Sequence, residues 1–326
     1  MKYRAAIVGG GGIAVGHLEA LAGMDRIECV AVADVQEERA QKLASTYGIR
    51  PYVQYKEMIE REKPDIAVIT LPHFLHKEAA VFCAEQGCHV LLEKPMALNT
   101  EECDEIIAAV RRSKVTLLVG HTQHYIAENR EAKRIMEQNW LGELVMIIDA
   151  RHTNYFQAQR PRWFLQKELA GGGILTNLGS HSVDKIQWLG GAPIARVRAA
   201  VSYEAAEGNV EGSGLVFLEN NNGVPATVSQ SGYGGAPKDE TELIFTKGMI
   251  KLHTGQSLWI SEGGTYVQVP VEPQEAPFVL QFNDLLNCIE TGAEPECSME
   301  YSRSIVAVIQ SIYRSHELKE EQTVPM

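Results

Sequence analysis

A strand-like run, Tyr3–Val8, empties directly into four consecutive glycines, Gly9–Gly12, and a helical pattern, Ile13–Ala22, begins at once. Gly9, Gly11 and Ala14 fit the pattern G-x-G-x-x-A. A glycine turn between a strand and a helix permits a tight reversal and lets backbone approach a pyrophosphate, and a small residue at the third position lets helix and strand pack closely. The free N–H groups and partial positive charge of the helix start suit a phosphate. A second strand-like run, Cys29–Asp34, ends on an acid about 20 residues downstream, where the fingerprint wants one. Gly9, Gly11, Gly12, Ile13 and Asp34 are therefore expected to hold a dinucleotide. A 2'-phosphate on the adenine ribose would meet the Asp34 carboxylate, so NAD is expected over NADP.

The alternation continues to about residue 120. Ile66–Thr70, His89–Glu93 and Thr116–Gly120 read as buried strands, and Glu37–Tyr47, Phe74–Gln86 and Thr100–Arg112 read as helices, the last capped by Asn99 or Thr100. Strand and helix in turn imply parallel pairing by right-handed crossovers. After residue 120 the rhythm changes. A helix near 128–138 precedes strand-like segments separated by Asn-Gly, Lys-Gly and Gly-Gly, which is hairpin chemistry. One such segment ends at Ala205. These segments read as an open antiparallel meander, and a helical tail, 278–290 and 300–319, closes the chain.

The expected fold class is α/β: an N-terminal Rossmann doubly wound parallel sheet plus a C-terminal α+β domain with an open, mostly antiparallel sheet. The expected domains are 1–120 for the dinucleotide and 121–326 for substrate and oligomerisation, with C-terminal helices able to pack back on the first. The 326 residues suit about two domains. A net charge of -12 argues against a nucleic-acid surface, and no apolar run approaches the roughly 20 residues of a spanning helix. Six cysteines without a C-x-x-C pair suggest reduced thiols and a cytoplasmic location, with no metal site expected.

"VLLEKPMALN" (residues 90–99) raises a further question, because a buried strand stops at Glu93-Lys94-Pro95. Pro95 keeps Lys94 out of helical backbone angles, and a Lys-Pro bond can also be cis. In doubly wound sheets ligands lie beyond the C-terminal strand ends, where Lys94 sits. A lysine beside a cationic oxidised nicotinamide should have a lowered pKa and could hold a substrate oxygen. In "GGGILTNLGSHSVD", Asn177 or Thr176 could cap the next helix, and Asn177, His181 and Asp184 fall at i, i+4, i+7, one helical face. A histidine there suits proton transfer near neutral pH, with Asp184 placed to orient or charge it.

The stretches "VGGGGIAVGHLEAL", "AVAD", "EKPMALN" and "GGGILTNLGSHSVDKIQWLGG" together resemble the Gfo/Idh/MocA oxidoreductases, relatives of glucose-fructose oxidoreductase and inositol dehydrogenase. The resemblance spans nearly the whole chain. It implies NAD(P)-dependent oxidation or reduction of sugars, inositols and related polyols, with Lys94 as the catalytic lysine and His181 as its partner. Leu71, Pro72, His76, Glu93 and Lys94 fall where the family lines its cofactor, with His73 in the same place. The family often has aspartate where this chain has Asn177, although some relatives carry asparagine. Substrate contacts are expected from Asn177, from Tyr155, Arg160, Arg162 and Trp163 in a polar-aromatic loop, and from His121, with His124 a further candidate. Homodimers or homotetramers through the open sheet are implied. The alternatives are an NAD-dependent glycosidase of the same fold and a dinucleotide-sensing regulator without turnover.

Overall fold

The structure, a computed structural model, describes residues 2–204 and 207–325. Ala205, the end of one expected strand, lies outside the described residues. The chain divides into two compact units, Met1–His121 with Glu275–Arg303, and Thr122–Gln274 with Ser304–Met326.

The first unit carries a six-stranded sheet: β1 (Tyr3–Val8), β2 (Ile27–Ala33), β3 (Arg50–Tyr52), β4 (Ile66–Ile69), β5 (His89–Leu92) and β6 (Leu117–Val119). Its strand order is β3-β2-β1-β4-β5-β6, all parallel. Helices α1 (Gly12–Ala22), α2 (Glu37–Tyr47), α3 (Tyr55–Glu62), α4 (His76–Glu85) and α5 (Thr100–Ser113) connect the strands. The continuous Val, Ile and Leu runs follow from burial on both faces, and Ile7, Val68, Ile69, Leu91 and Leu92 are wholly buried. Each contributes about 2 kcal/mol relative to exposure. The cap of α5 is Asn99, whose Oδ1 accepts the Glu102 N–H at 2.8 Å. The order reverses between β1 and β4, the switch point where ligands bind in such sheets. Helix α10 (Pro277–Thr291) belongs to this unit, and its Phe282, Leu285 and Leu286 join the core around α1.

The second unit holds a nine-stranded sheet. Its helices are α6 (Ala127–Glu137), the short turns α7 (Lys167–Ala170) and α8 (Ile174–Asn177), α9 (Gly179–Gly190) and most of α11 (Met299–Leu318). Its strands are β7 (Leu144–His152), β8 (Ile194–Ser202), β9 (Ser213–Asn220), β10 (Pro225–Ser231), β11 (Lys238–Phe245), β12 (Met249–His253), β13 (Ser257–Glu262), β14 (Thr265–Val269) and β15 (Gln322–Thr323). The expected hairpins form at Asn222-Gly223, Lys247-Gly248 and Gly263-Gly264. The sheet is not a simple meander. Strand β7 sits between β11 and β10 and pairs in parallel with β10. Turn chemistry reports only local pairings, so this insertion has no signal in the sequence. Helix α9 packs on the sheet through β7 and β10.

Candidate active site

The glycine junction forms as its composition dictates. Gly9 has φ +102°, and a Cβ there would lie 2.9 Å from the Thr70 carbonyl oxygen, so only glycine fits. Helix α1 starts at Gly12 with open space above it, and Ala14 is fully buried against the sheet. Ile13 is exposed beside the turn. The end of β2 supplies the acid. Asp34 Oδ2 accepts the Gly10 N–H at 2.9 Å and Oδ1 accepts the Gln36 N–H at 2.8 Å. Arg39 on α2 also donates to Oδ2, at 3.1 Å. A backbone cradle without side chains, a helix start and a carboxylate on the neighbouring strand end fit a dinucleotide's pyrophosphate and adenine ribose.

The strand ends beside this turn are braced from beneath. Glu93 directly follows β5 and is buried, with its Oε1 2.9 Å from His17 Nε2 and its Oε2 accepting the Lys94 N–H at 3.2 Å. Burial alone would raise the Glu93 carboxyl. The His17 hydrogen bond and charge, helped by Lys94, reverse that and hold it below the usual carboxylate range. Lys94 is half-buried, and its bond to Pro95 is cis.

Leu71 and Pro72 follow β4 and are half-buried. His76 opens α4 and is wholly buried, its Nδ1 2.8 Å from the Pro95 carbonyl oxygen and its Nε2 2.8 Å from that of Leu71. Burial pulls the His76 pKa down, while the two carbonyls and Glu93 push back. Both ring nitrogens thus face the two strand-end loops, which makes His76 a brace for them. His121 is also buried, with its ring edge-on to Tyr301 and its carbonyl accepting from Cys297 Sγ.

In the second unit the glycine run is a packing necessity. A Cβ on Gly173 would collide with the Glu211 carbonyl oxygen, and one on Gly172 with the Tyr313 hydroxyl. The buried Glu211 carboxylate accepts the N–H groups of Gly173 at 2.7 Å and Leu175 at 2.8 Å, and the Tyr313 hydroxyl at 2.8 Å. Burial nonetheless pushes its pKa up. These bonds fix the start of α8, which carries Asn177.

Two expectations need correcting here. Asn177 and Thr176 lie within α8 and cap nothing, because Leu178 is the N-cap of α9 and Thr176 pairs with the Tyr313 hydroxyl at 2.8 Å. Asn177 therefore does not share one continuous helix with His181 and Asp184. His181 is half-buried on α9. Asp184 lies on α9 one turn further, buried, with its Oδ1 2.7 Å from His124 Nε2. His124 stacks on Trp188, their ring centroids 4.6 Å apart. Helix α9 is anchored by Lys185, which is buried and donates to Asp149 at 3.3 Å, Thr241 at 2.7 Å and Thr254 at 2.9 Å.

The polar-aromatic loop is not uniformly surface. Tyr155 is wholly buried and burial pushes its pKa up to about 12. Arg160 lies 3.9 Å over the Tyr155 ring. Trp163 stacks on Phe164 at 3.7 Å, and Arg162 is exposed. Sequence reasoning missed His17, Arg39, Lys185 and Glu211. His17 had a readable signal, a lone histidine among the buried positions Ala14, Leu18 and Leu21 of α1. Glu211 and Lys185 had none, since their partners are distant in sequence.

Among the described residues no cluster of metal-ligating side chains occurs, and no helix is long and apolar enough to cross a membrane. The parallel sheet, its glycine turn and the Asp34 strand end define a dinucleotide-binding protein of the Rossmann class. Residues 3–121 match the family described as "Oxidoreductase family, NAD-binding Rossmann fold" of the GFO_IDH_MocA group, and residues 129–251 match the GFO/IDH/MocA C-terminal domain. The chain belongs to the Gfo/Idh/MocA oxidoreductase family.

Over 181 residues it is 30% identical to 1-carboxy-3-chloro-3,4-dihydroxycyclo hexa-1,5-diene dehydrogenase of Comamonas testosteroni, a match covering 55% of this chain and 45% of that protein. It is 29% identical to D-glucoside 3-dehydrogenase of Escherichia coli (strain K12), covering 79% of this chain and 69% of the relative. The fold superposes on levoglucosan dehydrogenase, solved with NADH, with a TM-score of 0.91 at 19% identity and 100% coverage of both chains.

Proposed function

We propose that the chain is an NAD-dependent dehydrogenase that oxidises a secondary alcohol of a sugar, inositol or related polyol, or reduces the corresponding ketone. The observation that carries this reading is the position of Lys94. It follows β5 at the carboxyl edge of the sheet whose β1 enters the glycine turn, the edge where such sheets bind ligands. NAD, when bound, supplies the hydride acceptor. Gly9, Gly11, Gly12 and Ile13 hold it at the pyrophosphate, Asp34 accepts from the adenine ribose, and Leu71, Pro72 and Glu93 line the strand ends. His76 acts through the Leu71 and Pro95 carbonyls.

Lys94 holds the substrate oxygen and His181 takes the alcohol proton. These roles rest on the family motifs that the two residues match. Asn177 positions the substrate without adding negative charge beside the histidine, with Tyr155, Arg162, Trp163 and His121 as further binding groups. Most of the acceleration comes from positioning the reacting carbon, since the cofactor carries the difficult chemistry. The sugar-type substrate class is supported by the D-glucoside dehydrogenase among the relatives. Leu215, Phe217, Val145 and Ile148 leave apolar side chains exposed on β7 and β9, which supports a homodimer or homotetramer through the open sheet.

The test is direct: protein, NAD and a panel of sugars and inositols are mixed, and NADH absorbance is followed. Formation of NADH with at least one polyol supports the reading. Release of an aglycone without net NADH would point to a glycosidase, and no reaction across a broad panel would count against turnover.

A further inference from the structure

Arg160 stands apart from the other half-buried arginines. Among the described residues, Arg4 holds Glu62 at 3.2 Å, Arg303 holds Asp104 at 2.6 Å, and Arg151 is paired with Asp239. Arg160 is half-buried in a chain with 42 acidic residues against 30 lysines and arginines, yet among the described residues it holds no carboxylate. Its Nε donates to the Tyr155 carbonyl, and its guanidinium lies 3.9 Å from the centre of the Tyr155 ring and 5.0 Å from that of Phe164. Burial pulls its pKa down, and only Tyr155 opposes this.

A guanidinium withdrawn from water without a counter-ion is costly, and an anion that arrives with a ligand offsets that cost. Ring contacts use the face of the guanidinium and leave its in-plane N–H fork, which matches a carboxylate or a phosphate. On Arg160 the Nη1 and Nη2 groups have no protein acceptor among the described residues. The Tyr155 ring leads from this fork to the candidate site of the second unit. Its hydroxyl bonds the Asn177 side chain, and Asn177 closes α8 just ahead of α9, which carries His181. Arg160 is thus one aromatic ring from Asn177, a separation close to the width of a sugar ring. Asn177 is neutral, and Glu211, whose field reaches Tyr155, is committed to Gly173, Leu175 and Tyr313, so neither supplies Arg160 with a counter-ion.

Resting on the dehydrogenase reading above, we propose that Arg160 is a specificity-determining residue that grips an anionic group, carboxylate or phosphate, on the polyol, so that the substrate is an acidic sugar or cyclitol and not a neutral one. Tyr155 and Phe164 hold the guanidinium in place before the substrate arrives, which lowers the ordering cost of the grip.

The test compares probes that differ in one group: D-glucose, D-glucuronate and glucose phosphorylated on its primary alcohol, with the galactose and mannose counterparts. Binding to the protein mixed with NADH is read by calorimetry, and NAD reduction by absorbance, for wild type, Arg160→Met and Arg160→Lys. Arg160→Met keeps an apolar stem over the Tyr155 ring and removes the charge. In wild type an acidic member of at least one set is expected to bind about tenfold or more tightly than its neutral partner, and Arg160→Met to bring that ratio within about twofold of unity. Arg160→Lys, which keeps the charge without the fork, is expected to retain part of the preference. The acid that wild type binds more tightly identifies the group as carboxylate or phosphate. A wild type with no preference for either acid in any set overturns the proposal. So does an Arg160→Met variant that loses neutral and acidic binding alike and keeps the ratio, the result of a merely structural role. Acid preference in binding without NADH from any probe would sink the dehydrogenase reading and leave the anion grip standing, so the two failures are distinct.

Discussion

His17 Nε2 lies 2.9 Å from Glu93 Oε1, and both side chains are buried. The pair joins the helix after the glycine turn to the residue preceding Lys94, so the glycine turn and the lysine share one support. His17 also packs on the Phe278 and Phe282 rings of α10. His17→Ala leaves a buried carboxylate without its main partner and is expected to cost about 3 kcal/mol. Glu93→Gln keeps a hydrogen-bonding amide of the same shape and should cost less. Denaturant unfolding of the two variants checks the order, and a His17→Ala cost below about 0.5 kcal/mol would show the pair to be idle.

The proposed hold of the glycine turn on the pyrophosphate has its own test in Gly9→Ala. A Cβ there meets the Thr70 carbonyl oxygen at 2.9 Å, and φ is +102°. The turn must shift, and NADH affinity is expected to fall about tenfold or more. Affinity within about twofold of wild type would mean that the turn does not hold the pyrophosphate.

Glu211 supports the start of α8 within the second unit. Glu211→Ala orphans the Gly173 and Leu175 N–H groups and the Tyr313 hydroxyl, all turned toward its carboxylate. The expected destabilisation is about 3 kcal/mol by urea unfolding. Glu211→Gln, which keeps one acceptor oxygen, should fall between. An alanine variant as stable as wild type would contradict this accounting.

Stability should fall as pH drops from neutrality. Burial holds His76 below its ordinary 6.5, and it lowers His89 and His316 in the same sense. The unfolded chain therefore takes up these protons first, and stability declines below about 6.5. For Glu93 and Asp149, burial would raise the carboxyl, but His17 for the former and Lys185 for the latter hold them low. Their contribution is present above the ordinary 4.5 and 3.8 and is lost as pH falls through the lower folded values. Glu211, raised by burial, has the opposite sign: its contribution is full below 4.5 and withdrawn as pH rises through its folded value. Melting temperatures measured across this range check the sum, and a flat profile from neutrality to about 4.5 would contradict it.

Much of the first unit was legible in the sequence. Its strands β4, β5 and β6 are short, almost wholly buried runs rich in Val, Ile and Leu, and its turn and cap residues are locally determined. Strand β3 escaped because it is three residues long and contains Pro51, and α3 because it buries little beyond Met58 and Ile59. In the second unit the hairpins were legible through their turns. The parallel β7–β10 pairing and the two-residue β15 were not, since neither carries a local signal. For the candidate site, Gly9 and Asp34 were readable because backbone geometry and charge select their residue types. The buried polar supports at Glu211 and Lys185 were not, because burial cannot be inferred for an isolated charged residue.

The central claim is that Lys94 acts chiefly in turnover, its part in holding the nucleotide being minor. It is tested most directly by pairing NADH titration with NADH-formation kinetics on Lys94→Ala, with His181→Ala alongside. The account predicts NADH affinity near wild type in both variants, with turnover of an active polyol slowed on the order of a hundredfold or more. A Lys94→Ala enzyme that turns over at the wild-type rate would contradict it.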